Sequence, residues 1–188
     1  CVISSLNHKQ TDKIPYHLDF TMEEAEKMDK SIPSGDYMRY ADVYLHYCQY
    51  WGWPTEIPDM KEHFLDEFGV TWNRSGKDKD IGVIDHPIIS EPDISLWNEP
   101  SLDEARLRRE WEDLLATKED KFTFPGIGFS MFERAWSLCG MEDVFAYMIQ
   151  EPDFLHQLLD KICDYNIKII KMSLEYPFDG FYFGDDWG

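Results

Sequence analysis

Basic residues are scarce in this chain. Its 188 residues carry 18 Lys and Arg against 37 Asp and Glu, a formal charge of −19, and no basic patch interrupts the acidic excess. Nucleic acid and anionic membrane surfaces are therefore disfavoured as partners, because both would repel the chain before any specific contact formed. Long apolar runs are missing too. No stretch approaches the roughly 20 residues that cross a bilayer, and no signal peptide opens the sequence. The expectation is a cytoplasmic protein with no nucleic-acid and no membrane partner. Cysteine is limited to Cys1, Cys48, Cys139 and Cys163, with no Cys-x-x-Cys spacing; this does not make a disulfide framework, and reduced thiols are expected. Internal repeats, low-complexity segments and tight hairpin signals are also absent, and the chain starts at Cys1 without an initiator Met.

What is present suffices for one domain over 1–188. Hydrophobic side chains make up 43% and aromatic ones 15%, enough to build a substantial core. Alternation over 14–20 predicts a first strand with His17 and Asp19 on one face. Tyr37, Tyr40, Ala41, Tyr44, Leu45 and Cys48 recur at three- and four-residue spacing and predict a helix over 36–51. A second helix over 57–68 closes at Gly69, a short strand follows at 70–72, and 73–80 reads as irregular. The proline-rich stretch 81–100 reads as an excursion.

The second half is punctuated more clearly. Ser101 and Glu104 form a capping-box pattern ahead of a helix to 117. A strand at 121–124, a loop at 125–128 and a helix over 129–139 stopped by Gly140 come next. Two further helices follow, the later one over 152–175, and 178–180 turns the chain into an aromatic strand that runs into Gly184, Asp185 and Asp186. Strands separated by helices imply a parallel sheet. With about half the strands of a ring visible, the expectation is a (β/α)8 TIM barrel of which only the N-terminal half is present.

In parallel α/β folds functional side chains sit at the carboxyl ends of strands, which makes Asp185 and Asp186 the leading catalytic candidates. Each could anchor a ligand or move a proton; each could equally cap a helix. His17 and Asp19 could reach the same mouth from the first strand, or pack and cap locally. Glu133 and Arg134, past the 121–124 strand, could touch substrate or form a surface ion pair. His86 could reach over the site from the excursion. His46 and Cys48 imitate a zinc-binding His-x-Cys pair, but on the expected helix they would point about 200° apart, so no metal ligand is assigned.

The runs 6–15 (LNHKQTDKIP), 129–140 (FSMFERAWSLCG) and 178–188 (FDGFYFGDDWG), in this order and spacing, resemble the uroporphyrinogen decarboxylase superfamily. That superfamily includes cobalamin-dependent methyltransferases, and the Gly-Asp-Asp-Trp-Gly ending is more similar to these. The resemblance would cover the first half of a family member. It implies methyl transfer between a small substrate or thiol and a corrinoid, with a corrinoid protein as partner and a homodimer possible. Zinc and a corrinoid are implied as cofactors of a longer protein, and its N-terminal half would be inactive alone. The expected site is then catalytic Asp185 and Asp186 and substrate contacts at His17 and Asp19, from their places on strands, and at Glu133, Arg134 and Trp187, which lie within the family-like runs. Two other readings stand beside it. Tetrapyrrole decarboxylation is disfavoured because Asp19, Glu23, Glu24 and Glu26 stand where the decarboxylase has arginines. The other is a non-catalytic α/β module that binds a small ligand.

Overall fold

The computed structural model describes residues 1–33, 35, 37–76 and 81–186. The chain begins with short helices, α1 (Val2–Leu6), α2 (Met22–Ser31) and α3 (Tyr37–Tyr40). Strand β1 (Leu45–Tyr50) follows, then four short strands, β2 (Thr55–Glu56), β3 (His63–Leu65), β4 (Thr71–Asn73) and β5 (Val83–Ile84), and a 3-10 turn at Ile94–Leu96. The remainder alternates longer helices with two strands: α4 (Glu104–Ala116), β6 (Phe122–Ile127), α5 (Phe132–Cys139), α6 (Met141–Gln150), α7 (Pro152–Ser173) and β7 (Tyr182–Phe183).

Two sheets result. Strands β1, β6 and β7 lie side by side and parallel, with Tyr47 opposite Phe124, Gln49 opposite Gly126, and Gly126 opposite Tyr182. Strands β2 to β5 form an antiparallel meander. The expected half of a (β/α)8 barrel is thus not what the chain builds. Among the described residues the parallel sheet has three strands and stays open, and the other sheet is antiparallel. The physical reason lies in the first half of the chain. Residues 14–20 are extended but join no ladder, touching β1 through one backbone bond from Tyr44 N to Tyr16 O at 3.1 Å.

The helices predicted over 36–51 and 57–68 are largely strand and turn as well. Residues 45–50 carry aromatic side chains suited to a pleated surface, and their whole length pairs with β6. At 57–68 the backbone passes through left-handed conformations at Asp59 (φ 67°) and Glu62 (φ 61°), which a helix cannot accommodate. The second half agrees better with expectation. The start of α4 is capped by Asp103, which accepts from Arg106 N at 2.9 Å, rather than by Ser101. Gly140, at φ 91°, separates α5 from α6, a conformation that favours glycine.

Strand alternation gives the parallel sheet two unlike faces. On one, Tyr50 and Ile127 are buried, and the Tyr50 hydroxyl meets that of Tyr165 in α7 at 2.5 Å. The core continues from there through Trp111 of α4, Leu138 of α5 and Leu158, Ile162 and Ile169 of α7, and reaches Phe68, Val70 and Trp72 of the meander. Asp66 ties the meander down. Its carboxylate accepts from Phe68 N and Val70 N at 2.9 Å each, from Trp72 Nε1 at 3.0 Å and from Arg134 of α5 at 3.3 Å. On the other face Tyr47, Phe124 and Tyr182 stay half-exposed beneath the extended segment 14–20, with Tyr47 stacked on Phe124 at 5.2 Å.

Candidate functional site

A cavity of about 540 Å3 opens at the carboxyl ends of the parallel strands, a volume suited to a small molecule. Gln49 and Trp51 reach it from the end of β1, Gly128 and Phe129 from the end of β6, and Tyr182 and Gly184 from β7. Residues 20–22, entering α2, form a second wall, and Arg74 and Ile81 of the meander a third. Close approach of the strand ends is possible because of glycine. A Cβ on Gly126 would stand 3.0 Å from Tyr182 O, and one on Gly128 would stand 3.3 Å from Trp51 Cβ. Phe129 adopts φ 53°, a left-handed conformation that is costly for an aromatic residue and marks the turn from β6 into the site.

Glu133 supplies the carboxyl of this lining. Burial pushes its pKa up, and the negative charges of Asp186 and then Asp185 push it further. The Phe129 amide, which donates to the carboxylate, and the Arg134 charge oppose the rise without cancelling it. The group therefore keeps its proton to higher pH than an ordinary glutamate, a property that suits proton transfer. On the meander side of the cavity, the Arg74 guanidinium lies 4.6 Å from the centre of the Phe64 ring and 5.9 Å from that of Trp51.

Asp185 is fully engaged at the amino end of α5. One oxygen accepts from Ser130 Oγ at 3.1 Å, Met131 N at 2.8 Å and Phe132 N at 2.9 Å, and the other from Glu133 N at 2.8 Å and Asp186 N at 3.1 Å. The helix lacks a side-chain cap of its own at Met131, so a carboxylate from 52 or more residues away fills that role. Asp185 thereby fixes the backbone of Glu133 and is a positioning residue. Asp186 is exposed and acts on Glu133 through its charge.

His17 and Asp19 sit beside the cavity without lining it. His17 Nε2 and Asp19 Oδ1 are 3.1 Å apart, the Tyr47 hydroxyl donates to Asp19 Oδ2, and the His17 ring packs edge-on against Tyr47 at 5.0 Å. Burial and the neighbouring carboxylate raise the Tyr47 pKa, so its hydroxyl stays protonated and serves as a donor. The cluster anchors the segment that carries Phe20 into the cavity wall. Arg134 lies elsewhere, 2% exposed within the core, with its guanidinium 3.6 Å from the centre of the Phe68 ring and donating to Trp51 O at 2.8 Å. It contacts Asp66 and not the cavity, so Arg134 neither touches a ligand there nor forms the surface ion pair anticipated for this segment, and its counter-charge is the buried Asp66. Trp187 lies outside the described residues, and His86 is exposed on the excursion.

The reason for setting aside His46 and Cys48 changes. On β1 they share a face, since residues two apart on a strand point the same way, yet His46 Nε2 is engaged with Thr117 Oγ1 at 3.0 Å and burial pushes the Cys48 thiol up to about 11. Among the described residues no group of three His, Cys, Asp or Glu side chains could hold a metal ion, so zinc has no fit there. No described helix is long and apolar enough to cross a membrane. Gln49 and Trp51 escape a sequence reading because the spacing over 36–51 also fits a helix; on a strand over 45–50, Trp51 stands at a carboxyl end. Comparison with family models, with characterised proteins and with solved structures gives no match for this chain.

Proposed function

We propose that the cavity at the carboxyl ends of β1, β6 and β7 is the substrate site of an enzyme acting on a small molecule, with Glu133 as its proton-transfer group. The observation that carries this reading is the carboxyl of Glu133, raised by burial and by Asp186 and Asp185, in a lining otherwise dominated by apolar and aromatic side chains. Perturbed carboxyls in concave sites are the usual mark of acid–base chemistry. Asp185 holds the Glu133 backbone in place, Gln49 offers a carboxamide for orientation, and Trp51 and Tyr182 exclude water from the substrate.

Methyl transfer is the reaction class we infer, from the resemblance of 6–15, 129–140 and 178–188 to methyltransferases. When the methyl group leaves a thioether or a neutral methylated amine, the departing sulfur or nitrogen needs a proton, whereas a quaternary ammonium departs as a neutral amine that needs none; in the reverse direction a thiol must lose one. Glu133 gives or takes that proton. A corrinoid on a partner protein would supply or accept the methyl group; the cavity is sized for the small molecule and not for a corrinoid, so this chain's contribution is binding and proton transfer. The reading belongs to a cytoplasmic setting. Tetrapyrrole decarboxylation is not supported: a polycarboxylate would meet Glu133 and Asp186 with Arg74 as the lining's cation.

The test is methyl transfer from small thioethers and methylated amines to free reduced cobalamin, followed by absorbance, in the unaltered chain and in Glu133→Gln. Turnover that falls at least about 100-fold in the variant is the expected result, the size of a lost acid–base group. Equal turnover in both would remove Glu133 from the chemistry. No turnover with any donor, alongside ligand binding that Glu133 does not influence, would favour the non-catalytic binding module.

A further inference from the structure

We propose that the ligand of this cavity is a small organic ammonium ion, its head seated among the rings of Phe20, Trp51 and Tyr182 and its charge met by Glu133. The inference deepens the substrate-site reading and rests on it. Three observations converge. Two of the walls are aromatic, the strand-end wall through Trp51 and Tyr182 and the facing wall through Phe20, and with Phe20 at 40% and Tyr182 at 44% exposure these rings are open to a ligand rather than consumed by the core. An aromatic enclosure is the preferred surroundings of a methylated or quaternary ammonium, which is attracted to the negative faces of the rings.

The second observation is that this wall already holds a cation. Arg74 places its guanidinium over Phe64 and beside Trp51, on the margin of the same cavity. The Trp51 ring, stacked on Phe129 at 6.5 Å, thus accepts positive charge at its margin, and an ammonium ion entering from the strand-end side would meet it together with Phe20 and Tyr182.

The third is charge. Glu133 faces the cavity, Asp186 is exposed close enough to raise its pKa, and the whole chain carries −19. This field draws cations in and keeps anions out. Neutral ligands of the same shape would gain the rings but would leave the Glu133 carboxylate without a partner in an apolar wall, which is costly. Ammonium binding favours ionised Glu133, so occupancy releases a proton at pH values where the carboxyl is still protonated. Affinity must then rise as pH rises through the elevated Glu133 pKa and level off above it.

Choline and its neutral isostere 3,3-dimethylbutan-1-ol are the probes, measured by calorimetry or by Trp fluorescence. Choline should bind at least about tenfold tighter than the isostere, and Glu133→Gln should abolish that difference by weakening choline. Tyr182→Leu, at an exposed strand-edge position, should weaken choline by about five- to tenfold with the fold retained. Equal binding of the two probes, absence of choline binding, or choline affinity indifferent to both variants would overturn the proposal. Failure here is separable from failure of the enzymatic reading. Glu133-dependent turnover of a neutral thioether donor, not inhibited by choline, would refute the ammonium ligand and keep the enzyme; Glu133-dependent choline binding with no turnover would keep the ligand and refute the enzyme.

Discussion

The two faces of the parallel sheet are made by alternate residues of the same strands, yet they meet opposite fates. Tyr50 and Ile127 look toward α4 and α7 and are 4% and 2% exposed; Tyr47, Phe124 and Tyr182 look the other way and stay half-exposed, with Tyr47 packed against the irregular segment 14–20. On the helix-covered face the tyrosine hydroxyls find partners within the core. The Tyr50 hydroxyl donates to Glu67 and meets Tyr165, and burial pushes the Tyr165 phenol up to about 12. On the open face, polar groups link a loosely held wall to the sheet. The contrast teaches that stability and ligand access are divided between faces, and that β1 contributes to both by alternation alone.

The sharpest way to break the contrast is to attack the buried side where it reaches under the site. Asp66 and Arg134 are 5% and 2% exposed, and each is the other's counter-charge. Removing one leaves a buried charge without compensation, so Asp66→Ala or Arg134→Ala should cost about 3–5 kcal/mol, read as a lower urea midpoint. Replacing both together with apolar residues of similar volume should cost much less, because the desolvation penalty disappears with the charges. If Arg134 were instead a substrate contact on the open side, its loss would lower ligand affinity and leave the urea midpoint in place.

Asp185→Ala tests the junction between the faces. The substitution strips the cap from α5 and should cost about 1–2 kcal/mol, the range for a lost helix cap. Because three of its five donors are the backbone amides of residues 131–133, the loss should also shift the Glu133 pH profile, through both the missing charge and the loosened backbone. A capping role without positioning would change the urea midpoint and leave that profile where it was.

Legibility in the sequence follows the same division. α4, α6 and α7 were readable because each buries one stripe against the core, as Leu107, Trp111 and Leu114 do in α4, and because Gly140 and Pro152 punctuate their ends. β1 was not, because Tyr44, Leu45 and Cys48 also satisfy a helical spacing, and only its pairing with β6, distant in sequence, decides for the strand. The meander was hidden for a related reason: its strands are two or three residues long, too short for alternation to declare itself. Of the site, Glu133 and the Asp185–Asp186 pair were legible from their place near strand ends. The division of labour among them was not, since capping of α5 by Asp185 depends on a contact across more than fifty residues. Counting helix-separated strands led the expectation of fold astray, because local patterns do not specify how many strands a sheet gathers.

A milder test separates the charge of Glu133 from its shape. Its folded-state pKa is raised, so the folded chain holds this proton more tightly than the unfolded chain does, and stability contributed by the protonated form is lost as pH rises from the ordinary glutamate value through the raised one. Glu133→Gln lacks this proton. The variant should gain stability relative to the unaltered chain across that window, with the difference constant above it; urea midpoints at a series of pH values measure it. Glu67, also raised by burial, titrates in both proteins and cancels in the comparison.

The smallest effect is expected on the open face. Tyr47→Phe keeps the ring stacked on Phe124 and removes only the hydroxyl that donates to Asp19. Asp19 is largely solvated, with 66% of its side chain exposed, so the bond's contribution to global stability is at most about 1 kcal/mol. Its local consequence is larger, because Asp19 and His17 hold the segment that carries residues 20–22 into the cavity wall. Hydrogen exchange should accelerate over residues 14–22 in the variant while α4 and α7 remain protected to the same degree. Acceleration spread evenly over both faces would mean that the segment is part of the global fold. The distinction between a rigid helix-covered face and a separately opening site wall would then be wrong, and Phe20 would belong to the core rather than to the ligand.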